Sequence, residues 1–246
     1  MIFISLQNIM ITDSLQLLYN INKPDISIIS KICFGERQLA VMLINSNLGT
    51  CTTLGNHLFA KKKDLLQPDF SNISHRALLI AYYSAFYNYS IVGENQGDIL
   101  DVVNFNLYQN IVMIGYFRTL AEKIDSMQIP LIIFDLASNE ERLTKINKQD
   151  EHLGKADAII LTATTLYNNT FDKIMSKVNS DSDVFLLGPT SVLCQDLFYH
   201  KNVKYIFGAV FNETEKVLKT IEEGGGIKDI RSLMKKIYLK RPENWT

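Results

Sequence analysis

The sequence predicts an α/β protein: a parallel-sheet domain over residues 106–246, preceded by a smaller α+β domain over residues 1–105. Two observations predict the larger domain. Short apolar runs alternate with amphipathic segments of about ten residues or more, the order of βαβ units. Those runs are apolar at successive positions, as strands covered by helices on both faces must be. A third observation sets the first part apart. There the strand candidates come first and adjacent, with a long helix after them, the order of an α+β unit.

Along the first part, "LQLLYNIN" is a short helix candidate. "ISIISKICFG" and "QLAVMLINS" are strands separated by a polar turn after Gly35, and "LGTCTTL" is a third, shorter one. "SHRALLIAYYSAFYNYSI" (74–91) reads as a long apolar helix capped by Ser74, its aromatic residues belonging to a core. The Gly-containing polar segment 92–109 marks the boundary between the parts.

In the second part, "NIVMIGYF" (110–117), "IPLIIFDL" (129–136), "ADAIILTA" (156–163), "SDVFLLGPTS" (182–191) and "VKYIFGAV" (203–210) are the strand runs. "RTLAEKIDSM" follows the first as a helix, with Leu120, Ile124 and Met127 at helical spacing. "NEERLTKINK" is a polar helix or loop, a helix begins near Thr170, "VLCQDLFYH" follows the fourth run, and "NETEKVLKTIEE" follows the fifth. The tail from residue 227 carries Lys228, Arg231, Lys235, Lys236, Lys240 and Arg241, read as the solvated face of a terminal helix.

Composition bounds the function. The chain is 47% hydrophobic and 21% charged, with a net charge of -1, so nothing pulls it as a whole toward nucleic acid or a membrane. Cys33, Cys51 and Cys194 form no CxxC pair and no ligand spacing with histidine, which argues against a disulfide framework and for a reducing cytoplasm. The opening "MIFISLQNIMIT" is apolar but too short for a membrane span and is interrupted by Gln7 and Asn8, and it lacks the basic flank and cleavage site of a signal peptide. Met10 is an alternative start to Met1.

In an open parallel sheet, ligands sit beyond the carboxyl ends of the strands. The residues there are Gly115, Tyr116, Phe117 and Arg118 after the first run, and Asp135 after the second. The third is followed by Thr162, Thr164, Thr165, Asn168, Asn169 and Thr170, the fourth by Gly188, Pro189, Thr190 and Ser191. "GYFRTLA" is not GxGxxG, so a pyrophosphate cradle is poorly supported. Asp135 stands where an acid can hold ribose hydroxyls; the alternative is a strand-end turn cap. Asn169 with Asp172 fits a helix cap, which leaves the other threonines and Asn168 for a ligand. In "GPTS" one hydroxyl suffices as a cap and two leave room for a ligand. "EEGGG" is either a connector or a loop that something approaches closely. Glu94, in the boundary segment, is a candidate acid or base facing the interdomain cleft. His57, His75, His152 and His200 have no metal-ligand spacing.

"ADAIILTATTLYNNTFDKIM", "VFLLGPTSVLCQDLF" and "KVLKTIEEGGG" together resemble the putative heavy-metal chelation family. Thr162, Thr164, Thr165, Leu166, Asn168 and Thr170 stand in its motif, while Ala163 and Asn169 occupy positions where the family commonly has Gly. The resemblance covers residues 110–230 best. It implies a Rossmann-like C-terminal domain, an enolase-N-terminal-like first domain, and a site in the cleft between them. "RQLAVMLINSNLGTCTT" and "AFYNYS" are similar to the weaker motifs of that first domain, where Asn88 matches a helix Asn, and Thr52 and Thr53 follow a strand.

The expected function is therefore binding of a small polar or metal-chelating molecule between the domains, with or without an enzymatic step of condensation, hydrolysis or group transfer. The alternatives are a carrier for a metal complex and a methyltransferase-like enzyme with a nucleoside cofactor. The cofactor, catalytic residues and oligomeric state are left open.

Overall fold

A computed structural model describes residues 13–91, 93, 95–136 and 140–245. The described residues form two sheets. Strands β1 (Ile29–Phe34), β2 (Gln38–Leu43) and β3 (Leu48–Thr52) make an antiparallel sheet in that order. The second sheet contains β4 (Ile111–Ile114), β5 (Leu131–Phe134), β6 (Ala158–Thr162), β7 (Asp183–Leu187), β8 (Val203–Phe211) and β9 (Met234–Lys240). Its order is β5-β4-β6-β7-β8-β9; the first five run parallel and β9 is antiparallel at the edge. The helices are α1 (Ser14–Ile21), α2 (Ile73–Tyr87), α3 (Ile99–Val102), α4 (Arg118–Ser126), α5 (Gln149–Leu153), α6 (Thr164–Tyr167), α7 (Phe171–Met175), α8 (Thr214–Glu222) and α9 (Ile227–Ile230). This is an α/β protein with a Rossmann-like six-stranded sheet and a small antiparallel sheet ahead of it.

The unbroken apolar runs have the cause expected of them. Successive side chains of a strand point to opposite faces. Val112 and Ile114 of β4, with Ile159 and Leu161 of β6, join one core, whereas Ile111, Met113, Ala158 and Ile160 join another. The second core is closed by Leu120, Ala121 and Ile124 of α4. The first is closed by α2, α6 and α7.

Helix α2 ties the two sheets together. Its apolar residues are spread around the whole circumference, and eleven of its fifteen residues are buried. Leu39, Val41 and Leu43 of β2 share its core with the strands of the larger sheet. Gly49 of β3 comes so close that a Cβ there would lie 2.9 Å from the Ser84 Cβ. The other face of β2, Ala40 and Met42, packs on Val217, Leu218 and Ile221 of α8. Described residues from both sides of position 105 thus share one core.

Two buried side chains of the α2 region fix its place. Asn88, fully buried, donates to the carbonyls of Ser191 (3.0 Å) and Ala209 (3.2 Å) and accepts from Leu193 N–H (2.9 Å). Arg76 pairs with Asp13, the cap of α1, and donates to the carbonyls of Tyr167 (2.9 Å) and Leu166 (2.5 Å).

The structure corrects several sequence expectations. The cap of α2 is Asn72, whose side chain accepts from Ser74 N–H, while the Ser74 hydroxyl accepts from Phe59 N–H. The segment after β7 is a short 3-10 turn over Gln195–Tyr199. The basic tail is chiefly the edge strand β9. Ile237 and Leu239 are buried while Lys236 and Lys240 are exposed, an alternation of period two that the charge count obscured. Lysines on an edge strand also discourage pairing with another chain. The glycine loop is approached by the protein itself: Glu36 and Arg37, in the β1–β2 turn, lie against Gly224 and Gly226.

Arg76→Ala leaves Asp13 and the carbonyls of Phe70, Leu166 and Tyr167 without their partner. It is expected to lower the unfolding free energy by about 3–5 kcal/mol in urea melts, with α1 the first element to lose amide protection in hydrogen exchange.

Candidate functional site

The strand order reverses between β4 and β6, so the chain leaves their carboxyl ends in opposite directions and a crevice opens there. Gly115, the first residue after β4, has φ 89°, and a Cβ on it would lie 2.7 Å from the Thr162 Cβ at the end of β6. Both the backbone angle and the close approach require glycine. The turn that follows is held by Asp135, whose carboxylate accepts Tyr116 N–H at 2.6 Å.

In front of this turn lies a cleft of about 840 Å³. Its walls are residues 97–100, the turn and α4 residues 116–120 and Lys123, the carboxylates Asp135 and Glu140, residues 187–189, Phe207 and Gly208, and the tail residues Ile227, Lys228, Arg231, Met234 and Lys236. The boundary segment reaches the cleft because it runs along β9. Gln96 bridges Ile237, Tyr238 N–H donates to the Asn95 carbonyl (3.1 Å), and Gly97 N–H donates to the Lys236 carbonyl (3.3 Å).

Five basic side chains and three carboxylates line the cleft. Lys236 pairs with Asp98 and Arg118 with Glu140. Arg118 also lies 5.5 Å from the Tyr116 ring centroid. Lys123, Lys228 and Arg231 make no ion pair among the described residues.

Of the residues the sequence singled out, Tyr116, Phe117, Asp135, Gly188 and Pro189 line this cleft, and Gly115 sits behind it. Thr162 is in register with the lining residue Leu187, so the two side chains share a sheet face. The rest of the threonine and asparagine cluster is engaged in its own turn. The Thr162 and Thr164 hydroxyls are 3.0 Å apart, Thr165 donates to the Thr162 carbonyl (2.6 Å), and Asn168 accepts from the Thr170 N–H (3.2 Å) and hydroxyl (2.6 Å). Asn169 is not the cap of α7. It has φ 60°, a left-handed angle that asparagine tolerates better than most residues, and the cap position belongs to Thr170. Thr190 and Ser191 are buried, and the Ser191 hydroxyl has no hydrogen-bond partner among the described residues. Asn88 has the internal partners given above. Glu94 lies outside the described residues.

The sequence reading missed the tail side of the cleft. The signal was present in Lys228, Arg231 and Lys236, but reading them as the solvated face of a terminal helix turned them away from any cleft.

A second polar cluster lies elsewhere. Asp172 of α7 accepts from Ser14 N–H (2.8 Å), the Ser14 hydroxyl (2.5 Å) and the Tyr199 hydroxyl (3.1 Å), and lies 3.3 Å from His200 Nε2. It is not a nucleophilic relay. His200 faces Ser14 and Asp172 with the same nitrogen, and Ser14 is fully buried. Burial works to raise the Asp172 carboxyl, but hydrogen bonds from His200 and Ser14 outweigh it and hold the group below its ordinary value. The three cysteines are free and buried. Burial pushes the Cys194 thiol up to about 12, away from thiolate chemistry. No three His, Cys, Asp or Glu among the described residues group so as to hold a metal ion, and no helix among them is long and apolar enough to cross a membrane.

Residues 98–240 match the model of the family DUF364, described as "Putative heavy-metal chelation". The chain belongs to this family. Two solved structures of the family share the fold. A protein of unknown function from Pyrococcus horikoshii is 19% identical with a TM-score of 0.74, the match covering 86% of this chain and 92% of that one. One from Desulfitobacterium hafniense is 15% identical with a TM-score of 0.74, covering 92% and 98%. The comparison with curated proteins gives no match.

Two outcomes test this geometry. Gly115→Ala is expected to lower the unfolding free energy by about 1–3 kcal/mol, and adding Thr162→Ala recovers part of the loss in the same urea melts. Because the folded Asp172 carboxyl is depressed, its contribution is complete above the ordinary carboxylate value of about 3.9 and is lost as pH falls through the folded value. The stability gap between the native chain and Asp172→Asn is therefore expected to be wide at neutral pH and to narrow in acid.

Proposed function

We propose that this chain binds a small polar molecule, of the metal-chelating class its family description names, in the cleft at the carboxyl edge of the six-stranded sheet. The observation that carries the reading is the convergence of Tyr116, Phe117, Asp135, Gly188 and Pro189 on that cleft. They follow three different strands, at the edge where open parallel sheets hold ligands. The volume of about 840 Å³ lies within the range of about 300–1,000 Å³ that suits small ligands. Tyr116, Phe117, Leu187 and Phe207 supply apolar and aromatic walls, and a few charged groups supply orientation. Residues 97–100, at the end of the proposed unit 1–105, close one side against residues of the proposed unit 106–246. The metal enters as part of the ligand, and the protein recognises the organic shell around it.

Thermal melts in the presence of a neutral ferric hydroxamate complex and of ferric citrate test the reading. A chelate at 100 times its dissociation constant adds about 2.7 kcal/mol to stability. Tyr116→Ala is expected to abolish the shift while leaving the unliganded melt within a few degrees. A shift insensitive to Tyr116→Ala but lost in Asn168→Ala would place the ligand at the threonine turn instead. A shift with an adenosine compound, lost in Asp135→Ala, would favour the nucleoside-cofactor alternative.

A further inference from the structure

We infer that the ligand of this cleft carries an oxyanion, a carboxylate or a phosphate, held by Lys228 and Arg231 on the tail side. The inference rests on the cleft being the binding site. The chain as a whole has a net charge of -1, so the excess of cations in the cleft is local and not a general basicity. Two of the five cations are matched internally, Lys236 by Asp98 and Arg118 by Glu140. The third lining carboxylate, Asp135, holds the Tyr116 N–H. Lys123, Lys228 and Arg231 are left to face the cleft without an ion pair among the described residues.

Lys228 and Arg231 are three residues apart across α9 and the helical residue that follows it, so their side chains leave the same face. An arginine fork matches the two oxygens of a carboxylate or phosphate, and a lysine adds a mobile point charge. Across the cleft, the first turn of α4 has no side-chain cap at Phe117, and negative charge is favoured near such an end. Phe207 and Leu187 lie between these polar sides, where they take the apolar body of the ligand. The ligand class is an anionic molecule with a flat or apolar middle, which carboxylate-bearing chelators and phosphorylated metabolites both satisfy.

Isothermal titration of the full chain with citrate and with inorganic pyrophosphate tests this. At least one is expected to bind, with affinity that falls as salt rises. Lys228→Gln combined with Arg231→Gln should weaken that binding about tenfold or more, since hydrogen bonds to charged groups are involved. Lys155→Gln, an exposed lysine paired with Glu151 outside the cleft, should leave it unchanged. Binding of citrate alone assigns a carboxylate, and binding of pyrophosphate alone assigns a phosphate; both support the inference. Equal affinity in the native chain and the double variant overturns it. If neither anion binds while the neutral ferric hydroxamate still shifts the melt through Tyr116, the anion inference fails and the cleft reading stands. If neither anion nor that complex binds, both fail.

Discussion

Helix α2 is apolar around its whole circumference, and that is the constraint from which the rest of the architecture follows. A helix of this kind cannot rest on a single sheet with one side in water. It must be enclosed, and here β2 and β3 cover one side while the strands and helices of the larger sheet cover the others. Its polar exceptions mark where the enclosing parts are fastened. Arg76 reaches α1 and the carbonyls at the end of α6, and Asn88 reaches the loop after β7 and strand β8. An unmet buried hydrogen-bonding group is costly, so each of these side chains specifies a position as well as contributing stability.

The cleft is assembled on the opposite face of the six-stranded sheet from α2, from pieces distant in sequence. The reversal between β4 and β6 opens it, Gly115 and Asp135 shape its turn, and the antiparallel strand β9 brings back the tail. The segment that leads out of α2 runs along β9 and reaches the same rim. The ion pair between Lys236 and Asp98 joins these two late and early pieces across the rim. The edge strand that finishes the sheet is therefore also a wall of the cleft.

Much of this was legible in the residues, and the failures have physical reasons. The strands were readable because helices on both faces demand unbroken apolar runs, and Gly115 and Gly188 punctuate two of them. The convergence of Tyr116, Phe117, Asp135, Gly188 and Pro189 followed from sheet topology alone. Asn88 was readable as notable but not as a clamp, because its partners lie more than one hundred residues further along the chain. The threonines after β6 read as a surplus beyond a cap; the contact between the Thr162 and Thr164 hydroxyls inside the turn is a local pairing that spacing alone does not reveal. Strand β9 was hidden by its lysines: a count of charges favoured a helix, whereas the order Ile237, Tyr238, Leu239, Lys240 carries the two-residue period of a half-buried strand.

The central claim is that the switch-point cleft, closed by the tail, is where this family member holds its ligand. A crystal structure of the chain grown with ferric citrate tests that most directly. The account predicts density in the cleft touching the Tyr116 ring and the Arg231 guanidinium. Density seated instead against Thr164 and Asn168, or at the opposite edge of the sheet with the cleft filled only by water, would contradict it.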